Sequence, residues 1–167
     1  MGQVQRLYER LQELVESNAV VNFYGGCVDD SVDAEIVDDF YIYLVEKYGE
    51  EWPDWANAYI QVYSWEYQAF YEGLITYYTN FYQHTDYESI QRAAEYLTKS
   101  GYREVADCYN KTMFDGGNYD SKNEWSKETW NLIRKAEEWI GDNQKIIMDC
   151  CIDILVKHKQ ELMKDDV

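Results

Sequence analysis

Ten carboxylates stand between residues 29 and 54: Asp29, Asp30, Asp33, Glu35, Asp38, Asp39, Glu46, Glu50, Glu51 and Asp54. Lys47 is the only cation among them. On a helical wheel, Glu35, Asp38, Asp39 and Glu46 fall within an arc of about 100°, opposite Phe40 and Leu44. The plain reading of such an arc is the solvated face of an amphipathic helix. Two features argue for a binding face instead. Basic residues that would form i,i+4 pairs are nearly absent, so these carboxylates repel one another. Ile42 sits in the middle of the arc, and an apolar residue ringed by carboxylates suits a contact surface. The line density of charge is also close to that of a single DNA strand. Nine net charges over 26 residues of helix is one per ~4 Å, against one per ~3.4 Å along each strand of duplex DNA. The chemistry predicted for Asp29, Asp30, Glu35, Asp38, Asp39, Glu46, Glu50 and Glu51, with Ile42 at their centre, is pairing with the Lys and Arg side chains of a partner.

Glu66 is the second candidate. Its position on the wheel lies among Trp55, Tyr59, Val62 and Phe70, at the heart of an apolar face. A buried carboxylate needs hydrogen-bond donors or takes a raised pKa. The structural expectation is that Tyr hydroxyls or a Trp N–H satisfy it. The catalytic alternative is a general acid or base, with Asn80 or His84 nearby.

Other site chemistries find little here. With two histidines, His84 and His158, a His-rich metal site is excluded, and no paired Glu-x-x-His motif supports a carboxylate di-metal bundle. Neither phosphate-cradling glycine motifs nor a nucleophile elbow occurs. Cys27, Cys108, Cys150 and Cys151 include no C-x-x-C pair and read as reduced thiols. Cys27 follows a Gly-Gly loop without a histidine beside it in sequence. No metal, cofactor or catalytic residue is predicted.

The whole composition points the same way as the acidic arc. Lys and Arg number 15 against 32 Asp and Glu in 167 residues, a net charge of −17. Residues 1–90 hold three of the basic and 17 of the acidic residues, so the acidity belongs to the N-terminal half. Such a chain repels phosphate, which excludes direct binding to nucleic acid or an anionic membrane and favours a basic protein partner. An aromatic content of 17% excludes a disordered chain. There is no apolar leader, no membrane-length apolar run, and Arg6 spoils a myristoylation pattern at Gly2. The expected compartment is the cytoplasm.

The elements that must position these residues read as helices throughout. Residues 3–17 carry one apolar stripe through Val4, Leu7, Leu11, Leu14 and Val15. A loop around Gly25 and Gly26 follows, and Ser31 and Gly49 bracket the acidic helix. Asp54 caps a helix over 55–72 whose apolar residues spread almost all round it, the mark of a central, buried helix. Gly73 is a joint. Residues 74–83 resume the period, and Thr85 or Asp86 starts a helix ended by Ser100 and Gly101. A short helix holds Val105, Cys108 and Met113. Residues 115–125 form the longest polar loop. Ser126 caps a helix carrying Trp130, Ile133 and Ile140, Gly141-Asp142-Asn143 turn the chain, and one last helix runs from Ile147 past Leu162. The predicted architecture is one all-α domain over 1–167, a bundle of roughly six to eight helices.

Residues 66–114 resemble a bacterial domain family of unknown function whose best-known member is an acidic DNA-mimic protein. That family carries a Gly-Gly-Phe-x-Gln-aromatic-aromatic-x-Asn segment, on which Gly73, Leu74, Thr76, Tyr77, Tyr78 and Asn80 fall. A helix rich in Ala and Leu and a glycine follow, matched here by Ala94, Leu97 and Gly101. Glu72 replaces the first glycine, Leu74 the Phe and Thr76 the Gln. The resemblance implies an all-α fold and, for the mimic member, occupation of the DNA site of a DNA-binding protein. Three readings follow: an acidic binding protein of that kind, an enzyme built on Glu66 in an aromatic pocket, and a scaffold that forms a homodimer through exposed aromatics.

Overall fold

In the computed structural model, residues 1–25, 29–78, 87–113 and 126–164 are described, and 79% of them are helical, with no strand. The helices are α1 (Gln3–Ser17), α2 (Ile36–Tyr48), α3 (Asp54–Tyr71), α4 (helical over the described residues 74–78), α5 (Tyr87–Lys99), α6 (Arg103–Met113), α7 (Lys127–Asp142), α8 (Gln144–Lys157) and α9 (Lys159–Lys164). That is nine helices among the described residues, slightly above the predicted range.

The fold is organised by α3. Every residue from Trp55 to Tyr63 is buried, together with Trp65 and Glu66. A helix with no solvated stripe must be covered all round, and α2, α5, α7 and α8 cover this one. Its small residues Ala56 and Ala58 admit close neighbours, while Trp65 and Tyr59 fill the widest gaps, both fully buried. Each such large side chain contributes roughly 1.5–3 kcal/mol of transfer free energy. The remaining helices build outward: α5 pairs with α6, α6 with α7, and α1 lies on α2 and α9. Buried tyrosines and an asparagine tie layers together through backbone carbonyls. Tyr8 donates to Leu155 O at 2.6 Å, Tyr59 to Val37 O at 2.7 Å, and Asn57 to Ser89 O at 2.9 Å.

Several helix boundaries differ from the sequence expectation for identifiable reasons. Ser31 does not cap α2. Its N–H (2.9 Å) and Oγ (2.6 Å) both donate to Asp29 Oδ1, making a turn that delays the helix to Ile36. Asp54 lies inside the first turn of α3 after Pro53, and its carboxylate is held by Arg92 of α5 at 2.7 Å. α7 continues through Gly141 and Asp142, and the turn is confined to Asn143, whose amide donates to Trp139 O. Trp130 stays 48% exposed while Ile133 and Ile140 enter the core. The last helix is two. It breaks at His158, whose ring stacks on Trp55 at 4.4 Å between centroids, so that α9 turns back and buries Leu162. Ser126 caps α7 as expected, accepting from Thr129 N–H at 3.1 Å. The predicted caps Thr85 and Asp86, the 115–125 loop and Cys27 lie outside the described residues.

Candidate functional site

The acidic arc of α2 divides in three. The wheel placed Asp39 at one edge, Asp38 at the other and Glu35, Ile42 and Glu46 between them. In the fold, each edge meets a neighbouring helix. Asp39 faces α1, where Arg10 forks between Asp39 Oδ2 (2.6 Å) and Asp33 Oδ2 (2.6 Å). These two hydrogen-bonded carboxylates outweigh the desolvation of the guanidinium and strengthen its hold on its proton. Asp38 faces α3 and is half-buried, with its Oδ1 accepting from Tyr63 OH at 2.5 Å. Burial pushes the Asp38 carboxyl above the usual aspartate value, against the lowering effect of the tyrosine. The centre of the arc is left to solvent: Glu35 and Glu46 are exposed, and Ile42 is 50% exposed.

Asp29 and Asp30 join this face through the 18–35 connection. Asp29, Asp30, Asp33, Glu35 and Asp38 line one cavity of about 470 Å³, walled on its other side by Phe23 and Tyr24. Hydrogen bonds from Ser31 hold the exposed Asp29 carboxyl below its ordinary value. Glu50 and Glu51 are exposed too, but lie past the C-terminal end of α2, about 20 Å along the axis. The predicted set is therefore a compact cluster at the start of α2, with Glu46 about three turns on and Glu50 and Glu51 beyond.

Tyrosines supply what the sequence reading did not place. Tyr59, Tyr63, Tyr67 and Tyr71 recur every fourth residue of α3, and their rings follow one another at 6.4, 5.9 and 5.8 Å. The ladder climbs from the fully buried Tyr59 to Tyr71, which is 51% exposed. Tyr41 of α2 stacks on Tyr63 at 4.5 Å, and Tyr24 packs on Tyr67 and Tyr71. Between α2 and α3 this leaves a groove of about 380 Å³ with Asp38, Tyr41, Ile42, Tyr63, Tyr67 and Gln68 in its walls. The spacing of four was the available signal. It reads as core until α2 is known to cover only its first half.

Glu66 is buried, as the wheel requires, and satisfied by an unexpected donor. Its Oε2 accepts the backbone N–H of Phe23 at 2.9 Å, because the 18–25 segment docks on α3 with Val21 and Phe23 inside the core. Burial pushes its carboxyl up to about 8, with the Phe23 bond acting the other way. It lines neither the 470 Å³ cavity nor the groove between α2 and α3, so a general acid at Glu66 has no substrate space in either. Asn80 and His84 lie outside the described residues. A cavity of about 530 Å³ between α6 and α8 is lined by both signs, Arg103 against Asp149 and Asp153.

Among the described residues, no group of three His, Cys, Asp or Glu is placed to hold a metal ion, and no helix is long and apolar enough to cross a membrane. Cys108, Cys150 and Cys151 are free and buried. Burial pushes the first two thiols up to about 12 and the third well above the ordinary thiol value, which leaves them poor nucleophiles.

The fold and the site thus define an all-α protein with an acidic, tyrosine-lined face where α2 packs on the central helix α3. The chain matches no protein-family model, no curated protein and no solved structure.

Proposed function

We propose that this is a non-enzymatic acidic binding protein that occupies the basic, DNA-binding surface of a partner protein. One observation carries the reading. No cation among the described residues lies within ion-pair distance of Asp29, Asp30, Glu35, Asp38, Glu46, Glu50 or Glu51. In the C-terminal half, by contrast, three surface carboxylates of α7 and α8 hold i,i+4 cations: Glu138 with Arg134, Asp149 with Lys145, Asp153 with Lys157. A solubilising surface has no need to exclude counter-charges from one face, whereas a surface that offers carboxylates to a partner's Lys and Arg does.

The mechanism is competition. Carboxylates take the contacts that phosphates would make, and Ile42 adds an apolar contact at their centre. The three buried free thiols support a cytoplasmic setting.

The test is a low-salt affinity capture with the native protein beside a D30N/E35Q/E46Q variant. These three side chains are exposed and make no hydrogen bond or ion pair among the described residues, so the variant keeps the fold. The expected result is a DNA-binding protein retained by the native bait, released by salt or by competing duplex DNA, and bound at least about tenfold more weakly by the variant. Equal capture by both baits would return the acidity to a role in solubility.

A further inference from the structure

We propose that the groove between α2 and α3 is an arginine-side-chain subsite, which seats one guanidinium of a basic protein partner between the tyrosine rings and Asp38. The inference deepens the binding reading above and rests on it for the class of partner.

The groove's one charged group is the acceptor Asp38, and its largest surfaces are the rings of Tyr41, Tyr63 and Tyr67, beside Ile42 and the hydroxyl of Ser64. Asp38 Oδ1 is engaged by Tyr63, while Oδ2 has no hydrogen bond among the described residues. Gln68 also lines the groove, although its Oε1 is itself shielded from solvent. Tyr41, Tyr63 and Tyr67 wall the space with rings stacked at 4.5 and 5.9 Å. Ile42, half exposed, forms the lip. No Lys or Arg lines the groove.

A ligand that matches must donate hydrogen bonds, carry positive charge and tolerate an aromatic wall. A guanidinium does all three. It has five N–H donors in a plane, no acceptor, weak hydration, and it stacks on aromatic faces. An ammonium brings the charge, but it is a strongly hydrated point that stacks poorly. At about 380 Å³ the space lies near the small end of ligand pockets, which suits one side chain rather than a helix. Desolvation raises the half-buried Asp38 carboxyl, and a cation seated beside it would favour its charged form.

Asp38 also lines the neighbouring 470 Å³ cavity with Asp29, Asp30 and Glu35. A basic segment with arginine in the groove thus lays its next cations over these carboxylates. The first cavity supplies arginine preference and the second supplies charge.

The experiment compares hexa-arginine and hexa-lysine peptides by calorimetry at low salt, on the full chain. Native protein is expected to bind the arginine peptide about 5- to 30-fold more tightly than the lysine peptide. Tyr41→Leu and Tyr67→Leu, made separately, remove one π face each and are expected to erase most of that ratio without weakening the lysine peptide. Tyr41→Phe keeps the ring and is expected to keep the ratio, which separates stacking from folding damage. Thermal melts confirm that each variant is folded. D30N/E35Q/E46Q is expected to weaken both peptides alike and leave their ratio intact. Equal affinity for the two peptides, or a ratio unmoved by both Leu variants, overturns the arginine subsite while leaving the acidic docking face standing. A ratio preserved while D30N/E35Q/E46Q changes neither affinity supports the subsite and overturns the wider acidic face.

Discussion

Glu66 shows how one buried group reports on the whole core. Its carboxyl titrates near 8 in the folded chain against about 4.5 when exposed, because burial penalises the charged form. The folded state therefore holds a proton that the unfolded state releases. Glu66 costs nothing below pH 4.5. Its contribution to stability then falls as pH rises, by about 1.4 kcal/mol for each pH unit, until the folded group itself ionises near 8. Glu66→Gln keeps an acceptor for Phe23 N–H and removes the titration. The melting temperature of the variant relative to native protein is expected to climb steadily from pH 5 to pH 8, read by circular dichroism. A difference that stays constant over that range would falsify the buried, proton-holding state. The wheel indicated that Glu66 is buried. Its donor was not legible, since nothing local links Phe23 to a residue 43 positions away.

Among the elements, the α3–α4 joint is the sharpest case. Gly73 has φ +93°, a conformation that residues with a side chain rarely adopt. A Cβ there would also come within 3.3 Å of Glu137 Oε1, which accepts Leu74 N–H at 2.8 Å and so pins the start of α4 to α7. Gly101, at φ +84°, has nothing within 4 Å of a built Cβ. Gly101→Ala is expected to cost about 1 kcal/mol from backbone strain alone, and Gly73→Ala about 2 kcal/mol or more because the Glu137 contact goes too. Urea denaturation of the two variants checks this. If they lost the same stability, the Glu137 cap would be contributing nothing. Local signals did well at this scale where capping chemistry is local. α1 spans the predicted residues, Gly73 is a joint, and Ser126 caps α7. They failed where a cap was captured by something else, as when Asp29 took both donors of Ser31.

Over the whole molecule, a net charge of −17 concentrated in the N-terminal half sets two opposite salt responses. Self-repulsion destabilises the folded chain at low ionic strength, so its melting temperature is expected to rise by several degrees between about 10 mM and 0.3 M NaCl. Affinity for a basic partner is expected to fall over the same range. A melting temperature that salt left unchanged would mean that the fold holds its carboxylates far enough apart to ignore one another. The sequence by itself determined the all-helical class, the central place of α3 and the acidity of α2, because periodicity and charge are properties of each segment alone. Only the tertiary structure decided that Arg10 neutralises one edge of the acidic arc, that Tyr63 holds the other, and that Tyr63 and Tyr67 of the α3 ladder emerge beside α2 to wall a groove. A helical wheel records which faces a helix has. Which neighbour each face meets is settled by the packing of all the helices at once.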